Sequence, residues 1–369
     1  MIYLDHAATT KPDDRVIEAV AECMLKRWAN PSLPCAAAGE ARRELRLARR
    51  AVAGLLNARP EEIIFTSGGS EANSQAMTLA AGGHAVVSAV EHASVLNAAR
   101  HWAGEVTPVM PDADGMVTPE AVAAVIRPDT RLISVQLVNN ETGVIQPVAG
   151  IGRVARARRI PFHCDAVQAF GQIPIDVAVM GIDLLSLSAH KLYGPRGVGA
   201  LYARRGIGLN PLIDGGGQEF GLRSGTENVP GVCGLRVAAE LARADMAERG
   251  RRERALVEGF MAELRAQIPG CRPLCLGAER APGILAVLLP GMDSERMIAA
   301  LDLRGVAVSG GAACATRERA PSRVYRALGL SERDAGCVIR VSVGRHTTAE
   351  ELSLAARAMG EAYRNGDEL

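Results

Sequence analysis

Asp165 and Lys191 are the residues of this sequence whose types and placement first suggest chemistry. Asp165 closes the stretch Ile160-Pro161-Phe162-His163-Cys164, and Lys191 stands just beyond the next apolar stretch, which runs from Asp183 to Ser188. If both stretches are adjacent strands, a carboxylate and an amine face the same ligand. Pyridoxal phosphate (PLP) requires that pair. The amine forms a Schiff base, and the carboxylate keeps the pyridine nitrogen protonated so that the ring withdraws electrons from a carbanion. Two solvated charges at strand ends are the competing reading, because short motifs often match by accident.

Several neighbours add to the cofactor reading. Ser188 and His190 flank the lysine with donors suited to a phosphate, and Gly194-Pro195-Arg196-Gly197 follows as a tight turn. Upstream, the run from Phe65 through Gly68-Gly69-Ser70 to Asn73 reads as a strand end, a glycine-rich loop and a helix start. N–H groups and hydroxyls at a helix N-terminus form an anion pocket. His92, after an expected strand, can stack on the pyridine ring and act as an acid–base group, or simply cap a helix. Gln168, at the start of the helix after Asp165, is placed to reach the ring's phenolic oxygen. Asn140, in Asn139-Asn140-Glu141-Thr142-Gly143, offers a hydrogen bond at the ring edge, although paired asparagines are also ordinary turn formers.

Two further residues carry possible substrate chemistry. Arg340 interrupts the apolar run Cys337 to Val343, where a guanidinium needs a partner. Its fork fits the α-carboxylate of an amino acid, and a structural salt bridge is the equal alternative. Cys314 lies in Ser309-Gly310-Gly311-Ala312-Ala313-Cys314-Ala315-Thr316, followed by polar, turn-forming residues. Such a loop has little to bury, so its thiol can swing toward a cofactor, and a cysteine among alanines is otherwise inert packing.

The elements that must position these groups follow from the pattern of the chain. Short apolar runs at Glu62–Phe65, Ala85–Ser88, Leu132–Val135, Ile160–Phe162, Leu184–Leu187 and Val198–Leu201 alternate with helical segments. This predicts an α/β fold with a mainly parallel, mixed sheet covered by helices, whose ligands bind at the carboxyl ends of strands. A charged helix over Ala238–Gln267 connects to a smaller α+β unit, with strands near Gly283–Leu289, Val306–Ser309 and Val338–Ser342 and helices near Ser294–Leu303, Ser322–Leu328 and Thr348–Tyr363. The expected division is a large PLP-binding domain over residues 13–250, with residues 1–12 and 251–369 forming the small domain that carries the cysteine loop.

Composition sets the outer limits. The 369 residues are 48% hydrophobic with a net charge of +1 and only 3% aromatics, so the chain buries a large core and offers no electrostatic footprint and few stacking platforms for nucleic acid. The arginine-rich stretch Arg42–Arg50 has the spacing of a solvated helix face. No signal peptide and no membrane span is evident, which makes the cytoplasm the expected compartment. The eight cysteines lack the paired spacing of a zinc site, and no metal is expected.

Taken in order, these motifs resemble the class-V, fold-type I PLP enzymes, and within them the cysteine desulfurases of the IscS/NifS type. The resemblance runs from Tyr3-Leu4-Asp5-His6-Ala7-Ala8-Thr9-Thr10 through Asn30-Pro31-Ser32, the Phe65–Asn73 loop, Glu91-His92, Asn139–Gly143, His163–Gln168 and Ser188–Pro195 to Arg223–Thr226, Ser309–Cys314 and Arg326–Gly329. It implies that Lys191 holds the cofactor covalently and that Asp165 contacts its pyridine nitrogen. It also implies that His92 stacks on the ring, that Gln168 and Asn140 hydrogen-bond the cofactor, and that Gly69, Ser70, Ser188, Ala189 and His190 surround it at the phosphate side. Thr226 is implied to reach the phosphate of a neighbouring subunit, making a homodimer the working unit. Arg340 is implied to grip the carboxylate of L-cysteine, with Asn140 beside it, and Cys314 to attack the substrate sulfur. The expected activity converts L-cysteine to L-alanine and leaves a persulfide on Cys314 for a sulfur-acceptor protein, an iron–sulfur scaffold or a sulfurtransferase. A selenocysteine lyase or cysteine/cystine β-lyase of the same fold is the nearest alternative, and a non-catalytic binding partner that retains the fold is the alternative of another class. Leu33-Pro34-Cys35 departs from the family's usual Ser and His, Gly311-Ala312-Ala313 replaces its usual Ser-Ala, and the sequence stops soon after the last helix at Leu369.

Overall fold

A computed structural model describes residues 1–311 and 322–368. Twelve strands are present among them: β1 (Ile2–Tyr3), β2 (Ile63–Thr66), β3 (His84–Ser88), β4 (Glu105–Val109), β5 (Thr130–Ser134), β6 (Phe162–Asp165), β7 (Leu184–Ser188), β8 (Gly199–Ala203), β9 (Arg272–Pro273), β10 (Ile284–Leu288), β11 (Val306–Ala307) and β12 (Val338–Ser342). Seven of them form one sheet in the order β2-β8-β7-β6-β5-β3-β4. Strands β3 to β7 pair in parallel, while β8 runs antiparallel to both β7 and β2. Every residue of β2, β3, β6 and β7 is buried, because helices cover both faces; those strands therefore read as continuous apolar runs rather than alternating ones.

The expectation for these strands holds with shifts of one to three residues at their ends, with one addition. Strand β4 was not expected, since Glu105-Val106-Thr107-Pro108-Val109 is polar and contains a proline. It is the edge strand, where a missing N–H and exposed side chains are tolerated. The connecting helix begins at Val229, not Ala238, and runs to Gln267. Its start has a local cause: the Asn228 side chain accepts the Gly231 N–H and Pro230 occupies the first turn.

This 39-residue helix spans two apolar cores. Its first half (Val232, Leu235, Ala238, Ala242) packs into the core around the large sheet. Its second half (Val257, Phe260, Met261, Leu264) packs with Leu4, β10, β12 and the helix Ala349–Arg364. The smaller unit has an antiparallel sheet, β12-β10-β9, beside a parallel pair formed by β1 and β11. The chain start is thus bound to the C-terminal unit, and Asp5 bridges to Ser342. That crossing places residues 5–10 over the carboxyl ends of the large sheet, where the Thr10 N–H and hydroxyl both donate to the His190 carbonyl. Among the described residues no helix is long and apolar enough to cross a membrane.

Candidate active site

Strands β6 and β7 are neighbours in parallel register, with Asp165 opposite Ser186. Their carboxyl ends therefore deliver Asp165 and, through the short helical turn Ala189–Lys191, the lysine to one place. That place is a cavity of about 590 Å³ between the two units, lined by Gly69, Ser70, His92, Asn140, Asp165, Gln168, Ser188, His190, Lys191 and Arg340. Ten sequence-designated residues thus meet around one space. Ala189 is buried but does not line it, and Thr226 is exposed and stands apart from it. Cys314 lies outside the described residues. Earlier in the same segment, Ser309 exchanges both backbone hydrogen bonds with Arg340, at 2.7 and 3.2 Å.

The amine of Lys191 donates to the carbonyls of Ala7 and Ala8, the latter at 2.9 Å. Asp165 accepts from Asn73 Nδ2 at 2.7 Å and from the Val167 N–H at 2.9 Å, which pins both of its oxygens. Below it, His163 is wholly buried between the Ser134 hydroxyl at 2.8 Å and the Ser186 hydroxyl at 3.0 Å. Burial pushes its imidazole down to about 3. Glu91 is also buried beside Asp165; burial, then the neighbouring carboxylate, drive its carboxyl far above the usual range and favour its neutral form. Burial and the Lys191 charge bring His190 down to about 4.

Arg340 makes the salt bridge that its sequence context allowed and also stands at the cavity. Its guanidinium pairs with Asp5 at 2.7 Å and donates to the Asn140 carbonyl at 2.8 Å, and its Nε is buried with no partner among the described residues. The same side chain lines the cavity. Asn139 and Asn140 are placed differently. Asn139 holds the turn by accepting from the N–H groups of Glu141 and Thr142, and Asn140 faces the cavity.

The residues fit PLP. Gly69 opens the helix Gly69–Met77, and a Cβ there would sit 2.5 Å from Val167 Cγ2, so only glycine lets the helix N-terminus meet the loop after β6. That N-terminus, with Ser70, Ser188 and His190, makes an anion cradle at one end of the cavity. The buried Gln168 Oε1 has no partner among the described residues. Because amide O and N positions interchange readily, this is a group waiting for a ligand's polar atom.

Asn73 and Ser94 are lining residues to which the sequence reading attached no role. Asn73 was visible only as the last residue of a motif, and Ser94 as a helix-start hydroxyl two positions after His92.

His163 yields a stability prediction. Its folded value is depressed, so between about 3 and the unfolded value near 6.5 the unfolded chain binds the extra proton. Stability is present above that window and is lost as pH falls through it, at up to about 1.4 kcal/mol per pH unit for one proton. Urea unfolding followed from pH 7 to pH 4 will show this decline, and His163→Gln will have a shallower one.

A class-V aminotransferase profile matches residues 2–354. A protein named cysteine desulfurase IscS from Anaeromyxobacter dehalogenans is 43% identical over 98% of this chain and 92% of its own. Among solved structures, a NifS-like protein from Rickettsia africae superposes with a TM-score of 0.92 at 31% identity, covering 99% of each chain. A protein named SspA, solved in complex with cysteine, has a TM-score of 0.83 at 35% identity over 94% of this chain and all of that one. With that cradle, that lysine–carboxylate pair and this full-length likeness, the chain belongs to the class-V aminotransferase family.

Proposed function

We propose that the protein is a PLP-dependent cysteine desulfurase, releasing L-alanine from L-cysteine and keeping the sulfur as a persulfide on Cys314. The single observation that carries this reading is the convergence of Lys191, Asp165 and Arg340 on one cavity, in a chain similar to named cysteine desulfurases along nearly its whole length. Bound PLP supplies an electron sink beside the substrate's α-carbon.

The chain's own residues do the rest. Lys191 Nζ holds the cofactor covalently and then carries protons at the α-carbon, a role suited to an amine seated at the cavity wall. Asp165, held by Asn73 and the Val167 N–H, fixes negative charge at the pyridine nitrogen. His92 stacks on the ring. Gly69, Ser70, Ser188 and His190, with Ala189 in the turn behind them, hold the phosphate. Gln168 and Asn140 meet the ring's polar edge. Arg340, oriented by Asp5 and the Asn140 carbonyl, receives the carboxylate of cysteine. The Cys314 thiolate attacks the substrate sulfur: an S–S bond forms, the carbon–sulfur bond breaks toward the carbon, and a proton completes alanine.

Two copies form the working unit in this reading, with Thr226 of each reaching the other's phosphate. Exposed apolar side chains at and just past the end of the helix Asp14–Lys26 support it, since Met24, Leu25 and Trp28 are 62, 78 and 78% exposed. The persulfide passes to an iron–sulfur scaffold or a sulfurtransferase in the cytoplasm.

The test is a visible spectrum of the purified protein with PLP, followed by assay of alanine and sulfide from L-cysteine. Absence of a bound-cofactor band after reconstitution sinks the proposal. For Arg340→Ala, the apparent KM for cysteine is expected to rise about ten- to a hundredfold, from loss of a charged hydrogen bond worth about 1.5–3 kcal/mol. The variant also leaves Asp5 without its cation, so thermal stability falls as well. An unchanged KM assigns Arg340 to the structural pair alone.

A further inference from the structure

Between Asp165 and His92 run two side chains that the mechanism above does not use as a pair. Asn73 Nδ2 donates to Asp165 Oδ2 at 2.7 Å and to Ser94 Oγ at 2.9 Å. Ser94 Oγ lies 2.7 Å from His92 Nδ1, and the Ser94 backbone N–H donates to the same Nδ1 at 3.1 Å. Asn73 sits in the first turns of the helix after β2, whereas His92 caps the helix Ala93–Trp102 after β3. The chain of contacts therefore ties together three strand ends.

The direction of the hydrogens in that chain follows from its two ends, the Asp165 carboxylate and the Ser94 backbone N–H. A carboxylate only accepts, so the Asn73 amide must turn its nitrogen toward Asp165. The alternative orientation would set an amide oxygen against a carboxylate. With Nδ2 spent on Asp165 and Ser94, Asn73 Oδ1 is left buried and without a partner among the described residues, a cost that the other contacts must offset. Ser94 has one hydroxyl hydrogen. The Ser94 backbone N–H points at His92 Nδ1 and makes that nitrogen an acceptor, so the hydroxyl 2.7 Å away turns its hydrogen there as well. An imidazole nitrogen that accepts from two donors carries no proton, which leaves the proton on Nε2.

We propose that Asn73 and Ser94 are positioning residues that transmit the orientation of the Asp165 carboxylate to His92 and hold its imidazole as the Nε2–H tautomer. The functional meaning rests on the PLP reading: His92 then meets the cofactor and substrate as a proton donor first, and becomes an acceptor only after giving that proton up. The stacking residue and the pyridine-nitrogen residue respond to each other as one hydrogen-bonded unit.

The experiment is long-range ¹H–¹⁵N correlation on protein labelled with ¹⁵N-histidine, recorded without and then with PLP, with the His92 signals identified by their loss in His92→Gln. The wild-type protein is expected to show a bare Nδ1 and a protonated Nε2 at His92 in both states. Ser94→Ala and Asn73→Ala are expected to show a mixture of tautomers, and Ser94→Thr, which keeps the hydroxyl, to restore a single one. A proton on Nδ1 in the wild type overturns the proposal, and so does a tautomer unchanged in both alanine variants. A tautomer unchanged in Asn73→Ala alone overturns the part given to Asn73. The wild-type spectrum decides by itself where a variant fails to fold. Because the tautomer is read in the apoprotein, it can fail while cysteine desulfuration stands, and the reverse.

Discussion

Lys191→Ala will lose the covalently held cofactor and will lower alanine formation from L-cysteine by at least about 10²–10⁴-fold, the range for removal of a positioned proton-transfer group alone. The physical basis is geometric. Lys191 ends the short turn after β7, and its amine is held at the cavity wall by the carbonyls of Ala7 and Ala8. Among the described residues no other lysine lines the cavity, so no neighbouring amine there can take over the covalent link or the proton at the α-carbon. Dialysis will remove PLP from the variant but not from the wild type, and the visible spectrum before and after dialysis measures this directly. The fold is expected to persist, because Lys191 lines the cavity and belongs to none of the apolar cores. A Lys191→Ala protein that turns over cysteine at the wild-type rate would reject the assignment of this lysine and, with it, the enzyme reading.

Cys314→Ala is expected to act on a different half of the reaction. The cofactor band should be as strong as in the wild type, since none of the residues around the cradle is touched, whereas persulfide on the protein and sulfur release to thiol acceptors should fall to background. Mass spectrometry of the protein after exposure to cysteine reads the persulfide as one added sulfur atom. The two variants separate the two halves: one loses the cofactor, the other keeps it and loses the sulfur. If Cys314→Ala releases sulfide as fast as the wild type, the protein belongs with the lyases, which free their product without a thiol of their own. Arg340 connects the halves, because its backbone pairs with Ser309 while its guanidinium lines the cavity.

Much of this was legible in the chain because the strands that carry the site are buried on both faces. Leu184 to Ser188 and Phe162 to Asp165 are wholly buried, so neither alternates inward apolar with outward charged residues; Asp165 closes the one and Lys191 stands just past the other. The edge strand Glu105–Val109 was illegible for the opposite reason, since half-exposed strands with a proline carry little periodic signal. The start of the long helix at Val229 was missed because Gly231, Cys233 and Gly234 weaken a helical pattern that Asn228 and Pro230 nonetheless initiate. Arg340 was recognisable as a charge in need of a partner, but its partner Asp5 lies 335 positions away. No local spacing reports a contact of that kind.

Sequence alone determined the chemistry available: which amine, which carboxylate, which guanidinium, which thiol, and the order of strands and turns that set them at the ends of elements. These are properties of residue type and of patterns spanning a few residues, and they survive in one dimension. Only the tertiary structure decided who holds whom. That Asn73 and Ser94 join Asp165 to His92, that Ala7 and Ala8 receive the lysine, and that Glu91 is buried beside Asp165 all depend on strand order and on helix starts converging from distant segments. The reason is physical: hydrogen-bond direction and desolvation act over a few ångströms in space, whatever the separation along the chain.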